Sequence, residues 1–290
     1  MKLYSRFLLV LLAISLFTFP VSALADAVAG DVIVTLGEDL TNEQKQQILN
    51  EMEVSEDIEP IYVTNKEEHE YLGNLISKAQ IGTRAISSSK ITIGKKGSGL
   101  NVETNHITWV SEEMYANALI TAGVKDAEIY VTAPFDVSGT AALTGIIKAY
   151  EITTDIEIPE EQKRVANEEM VKTAELGDKI GMDKASELMT TIKEEIAKNP
   201  PETEEDLRAL IQRIAEQLGI QLTEEELNGL VSLFNRMKNL NIDWDQVTSQ
   251  LEKVRDNLGE FLNREETQSF IQRVIDFFIS IIDSMKSWFK

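Results

Sequence analysis

The sequence predicts an α+β (or α/β) N-terminal domain followed by an all-α helical bundle. Three observations carry this. The tetrapeptide Ile-Tyr-Val-Thr occurs at 61–64 and again at 129–132. Each copy has a helix-like segment before and after it, which reads as a pseudo-duplicated β-α-β-α unit. Beyond residue 160, apolar residues recur at helical spacing and no convincing strand remains. The resulting plan is a signal peptide at 1–25, an α+β domain with an internal repeat at 26–152, and a helical domain at 160–290. The last of these ends in a strongly apolar amphipathic helix.

Residues 1–25 stand apart from the fold. Lys2 and Arg6 make a positive start, residues 7–19 are uncharged and mostly apolar, and Pro20 breaks the run. Ala23-Leu24-Ala25 has the small-x-small pattern of a signal peptidase site, so cleavage between Ala25 and Asp26 is expected. The apolar run is too short to span a bilayer comfortably. The remainder is long enough for a sizeable core. Lys and Arg number 28 against 49 Asp and Glu, a net charge of −21, and loss of Lys2 and Arg6 makes it −23. That charge disfavours nucleic acid, and disfavours an anionic membrane surface unless a local segment overrides it. Cysteine is absent. This excludes a lipid-modified N-terminal Cys, thiolate zinc sites and a thiol nucleophile, and leaves core packing to hold an exported chain together.

In order, Val32-Ile33-Val34-Thr35-Leu36 reads as a buried strand closed by Gly37. Thr41 caps a helix to about Met52, with Ile48, Leu49 and Met52 on one face. A strand over 58–64 follows, then Asn65 caps a helix over 66–77 with the stripe Tyr71, Leu72, Leu75 and Ile76. Ile91-Thr92-Ile93 and Leu100, Val102, Thr104 alternate on either side of residues 94–99, which predicts a β-hairpin. Ser111-Glu112-Glu113 opens a helix that Gly123 ends. After the second Ile-Tyr-Val-Thr strand, Ser138 caps a helix from Gly139 to about Ile152. Ala141, Ala142, Gly145 and Ala149 let that helix approach a sheet closely. An acidic link at 153–159 leads to helices over 160–180, 183–198, 203–218, 223–240, 243–262 and 265–289. Gly181, Asn199-Pro200-Pro201 and Gly219 mark stops, and Thr203 and Thr223 open capping boxes with acids at the positive helix end.

Several stretches together carry a resemblance. They are Thr64-Asn65-Lys66-Glu67-Glu68-His69-Glu70-Tyr71-Leu72-Gly73, residues 82–88, residues 95–104, Thr121-Ala122-Gly123-Val124-Lys125-Asp126-Ala127 and Val131-Thr132-Ala133-Pro134-Phe135. Residues 174–181 and Val274-Ile275-Asp276-Phe277-Phe278 extend it to the end. The chain resembles the YpuA family over nearly its whole length beyond the signal segment. That family comprises exported proteins of Gram-positive, Bacillus-like bacteria and is a domain of unknown function. The resemblance implies an envelope location and supplies no catalytic residue.

No catalytic, cofactor-binding or metal-ligating set emerges from the residues themselves. His69 has Gly73, not a ligand, four residues on, and the other imidazole is His106. Asn241, Asp243, Asp245 and Glu252 fit positions 1, 3, 5 and 12 of a calcium loop, but Gln246 stands where the turn needs Gly. A cap by Asp243 explains them more simply. Residues 94–99 lack the Gly-Lys-Ser/Thr ending of a phosphate loop. Ser87, Ser88, Ser89 and Ser98 lack a nucleophile elbow. The reading is an exported cell-envelope binding or structural module, with an unknown envelope component as partner. The rival is an envelope glycan or peptide hydrolase with an unrecognised carboxylate site.

The C-terminal segment is the one expected contact surface. Phe270, Val274, Phe277, Phe278, Ile281, Trp288 and Phe289 belong to its broad apolar face, and Asp276 and Asp283 argue against a transmembrane span. It can serve as core, as a peripheral membrane contact or as a partner contact. The expectation is peripheral retention on the envelope.

Overall fold

The computed structural model describes residues 28–263 apart from Glu56. The cleavage site at Ala25 and Asp26 lies outside the described residues, as do Phe270, Val274, Phe277, Phe278, Ile281, Trp288 and Phe289. Runs of β-branched residues form β1 (Val32–Gly37), β2 (Ile61–Val63), β3 (Ser88–Ile93), β4 (Leu100–Ile107) and β5 (Ala127–Val137). They make one sheet in the order β2-β1-β3-β5-β4. The β1/β2 and β4/β5 pairs are parallel, and β3 runs antiparallel between β1 and β5. The fold is α+β, a mixed sheet with helices.

Strand alternation sorts the side chains onto two faces. Ile33, Ile91, Leu100, Val102, Ile129 and Val131 belong to the largest core, and Val34 and Leu36 belong to a smaller one on the other side. Helix α1 (Asn42–Glu51) covers the smaller face with Ile48. Thr41 caps α1 with a capping box closed by Gln44. The larger face carries α2 (Asn65–Leu72), the one-turn α3 (Lys78–Ile81), α4 (Glu112–Ala122) and α5 (Thr140–Thr154). Five more helices follow: α6 (Glu160–Ile180), α7 (Met182–Lys198), α8 (Glu204–Gln217), α9 (Glu224–Asn239) and α10 (Trp244–Asn263).

α6 to α9 share a core of their own, with Leu188, Ile192, Ile211, Leu230 and Phe234 at its centre. The link at 153–159 is nevertheless no break in packing. Ala166, Met170 and Ala174 of α6, and Val247 and Leu251 of α10, sit in the same core as the sheet residues.

Four local expectations are corrected. Residues 91–93 and 100–104 do not form a hairpin, because β5 lies between β3 and β4. The 94–99 loop instead crosses the start of β5, where Asp126 holds it: Gly94 N–H donates to the Asp126 carbonyl at 2.5 Å and Gly99 N–H to its Oδ1 at 2.8 Å. A parallel β4/β5 pair needs a crossover helix, and α4 supplies it, so long-range pairing overrides the local turn signal. The α2 cap is Thr64, not Asn65, through a capping box with Glu67, and the helix stops at Gly73, short of 77. The α5 cap is Gly139, at φ 94°, not Ser138. The Ser138 hydroxyl faces Thr140 Oγ1 at 3.2 Å, and the Gly139 carbonyl accepts from the Tyr115 hydroxyl.

The fourth concerns the doubled unit. Both Ile-Tyr-Val stretches are strands and both precede a helix. However, α1 crosses on the face of Val34 and Leu36, whereas α4 crosses on the face of Ile129 and Val131. The likeness is one of element order and not of three-dimensional arrangement.

A candidate functional site at the carboxyl end of the sheet

Open sheets with parallel strands commonly receive ligands outside the carboxyl ends of those strands. Here a crevice of about 290 Å³ opens at the carboxyl end of β5. Its walls are the loop from Gly82 to Ser87 that enters β3, Phe135 and Val137 of β5, residues Ser138 to Ala141 at the start of α5, and Glu68 of α2. Phe135 is exposed at the rim. Arg84 is also exposed and makes no ion pair among the described residues.

Glu68 is only 1% exposed. Its carboxylate accepts from the Thr140 hydroxyl and, at 3.2 Å, from Asn65 Nδ2. Burial pushes the Glu68 carboxyl up to about 7 and nearby Asp39 adds to the rise, although the Thr140 and Asn65 hydrogen bonds oppose it. Near neutrality the group is therefore both an acid and an acceptor. Ser87 at the end of the loop differs from Ser88 and Ser89 at the start of β3. Ser89 Oγ meets Thr35 Oγ1 at 2.7 Å, and Ser88 Oγ donates to the Ile86 carbonyl and accepts from Gly37 N–H. Ser87 is 3% exposed, and among the described residues its hydroxyl has no hydrogen-bond partner and opens into the crevice.

Gly37 fixes the loop against β1. A Cβ there would collide with the backbone carbonyl of Ala85, which cannot rotate away as a side chain would. Gly37→Ala is expected to cost about 1–3 kcal/mol and to displace the crevice wall. Urea unfolding reads the first effect, and unchanged stability would contradict this packing.

The residues weighed from sequence are dispersed. His69 Nε2 lies 3.1 Å from the Gly82 carbonyl, while His106 Nδ1 lies 2.9 Å from Asp136 Oδ1. Asp243 caps α10, accepting from Gln246 N–H at 3.0 Å. Among the described residues no group of three or more His, Cys, Asp or Glu is placed to hold a metal ion. No described helix is long and apolar enough to cross a membrane.

Sequence reasoning missed Glu68 and weighed Ser87 only as a nucleophile. They are 19 residues apart, and only the packing of α2 against α5 and the β3 loop unites them. It also missed a sealed ion pair between α6 and α7. Lys193 Nζ lies 2.7 Å from Glu169 Oε1 and 3.0 Å from the Asn117 carbonyl, with Lys193 0% and Glu169 1% exposed. Thr121 donates a further hydrogen bond to Glu169. With no opening, this cluster is structural.

A family model described as "Protein of unknown function (DUF1002)" matches residues 36–254. The chain is 57% identical over 279 residues to the "Uncharacterized protein YpuA" of Bacillus subtilis (strain 168), covering 96% of each. No solved structure matches.

Proposed function

We propose, for a chain that belongs to the DUF1002 family of proteins of unknown function, that it is an exported binding module of the cell envelope whose ligand seats in the crevice. One observation carries this reading: a concave site lined both by a buried carboxyl of near-neutral pKa and by Ser87, a residue 3% exposed whose hydroxyl has no partner among the described residues. Export rests on the signal pattern of residues 1–25, and peripheral retention rests on the apolar segment 265–289. The alternative, a glycan or peptide hydrolase, draws on the raised Glu68 pKa, which suits a general acid. It needs a second catalytic carboxylate. The Asp39 carboxylate accepts from Ala85 N–H at 2.8 Å and does not line the crevice, so binding is the better-supported reading.

The test is expression of the full chain in a Gram-positive host, followed by fractionation and capture on washed envelopes. The exported protein is expected to begin at Asp26, and a chain ending at Arg264 to shift from cells to medium. Thr83→Trp, a bulky change at the exposed crevice rim, is expected to reduce capture about tenfold with an unchanged circular dichroism spectrum. Undiminished capture of Thr83→Trp would remove the crevice from the function. A product still starting at Met1 would remove export.

A further inference from the structure

The unmet groups of the crevice are hydrogen-bond donors. The first-turn N–H groups of a helix have no partner inside it and point outward along its axis. In α5 the cap is Gly139, so no side chain covers them. Among the described residues the N–H groups of Thr140 and Ala141 meet no acceptor, although these residues are 1% and 3% exposed and both line the crevice. Ser87 points to the same space independently: a residue 3% exposed on a different element, whose hydroxyl is also without a partner among the described residues. Arg84 adds an unpaired positive charge on the loop wall. Three donors and a cation around a cavity of about 290 Å³ describe a receptor for negatively charged oxygen.

We propose that the crevice binds an oxyanion group of its ligand, phosphate or carboxylate, through Ser87 Oγ, the N–H groups of Thr140 and Ala141, and Arg84. This rests on the crevice being the ligand site and adds the class of ligand. Glu68 does not forbid it. Its burial leaves about half of the carboxyl protonated near pH 7, and a protonated carboxyl donates a hydrogen bond. The net charge of −21 opposes any anion at long range, but salt screens that field beyond about 8 Å at 0.15 M ionic strength. A short-range set of aligned donors is what discriminates.

Inorganic phosphate and acetate are the probes, added separately to the chain beginning at Asp26 and followed by amide nuclear magnetic resonance near physiological salt. The expected result is saturable shifts of the Thr140 and Ala141 amides with at least one probe; which probe does so identifies the source of the oxyanion. Ser87→Ala and Arg84→Gln are each expected to weaken that binding about tenfold while the remaining spectrum persists. If neither probe moves those amides, or if both variants bind as the natural chain does, the oxyanion assignment is overturned. Movement of the same amides by a neutral sugar alone overturns it too. In those cases a continuing loss of envelope capture by Thr83→Trp would leave the crevice as the site and fault only the ligand class. Retained capture would fault both.

Discussion

Lys193→Ala is expected to remove about 3–5 kcal/mol of folding stability, the cost of leaving one member of a buried ion pair uncompensated. Lys193 is fully buried, and burial pulls its pKa down while Glu169 at 2.7 Å pulls it back up. In the alanine variant the Glu169 carboxylate, 1% exposed, keeps only the Thr121 hydroxyl. It is then buried without a counter-charge. The paired replacement Lys193→Met with Glu169→Leu removes both charges at similar volume, and is expected to recover most of the loss. Urea unfolding of the three proteins checks this. A double variant as unstable as Lys193→Ala would mean that volume and the remaining hydrogen bonds, not the charge, dominate the site.

Glu68→Gln is expected to flatten the dependence of stability on pH. The folded chain holds the Glu68 proton up to about pH 7, against a usual value near 4.5. The fold therefore binds this proton more tightly than the unfolded chain does. That stabilisation is fully present below about pH 4.5 and is lost as pH rises through 7, a swing of about 3 kcal/mol at 1.36 kcal/mol per pK unit. Glutamine keeps the shape and can still hydrogen-bond Thr140, but it does not titrate. At pH 8 the variant is expected to be the more stable protein by up to that amount, with the two converging near pH 5. Denaturation curves at several pH values decide it. Parallel profiles for natural chain and variant between pH 4.5 and 7.5 would show that another group carries the titration.

Much of the helical architecture was legible because its signals are local. Thr41, Thr203 and Thr223 each accept from the N–H three residues on, and Gly123 turns the chain at φ 90°. These contacts lie within a few residues of one another, so sequence spacing is spatial spacing. The five helices described after residue 159 follow for the same reason, as does α+β class from the mixture of strand and helix periodicity; the expected helix over 265–289 lies outside the described residues. The Thr64 cap was misplaced by one residue because Thr64 and Asn65 are both good caps, and only the reciprocal bond from Glu67 separates them.

The chain by itself determined composition-level facts: a charge of −21, no cysteine, a signal-like start, and where most of the described helices and strands lie along the sequence. The tertiary structure alone decided which strands are neighbours, which sheet face each helix covers, and which polar groups meet. β5 displaced the hairpin because a strand with neighbours on both edges satisfies its backbone groups along β3 and along β4 except at His106, which a local turn does not. Glu68 and Ser87 became a site, and Lys193 and Glu169 a sealed pair, through burial. Burial depends on what the rest of the chain packs against a residue, and no spacing within the sequence encodes it.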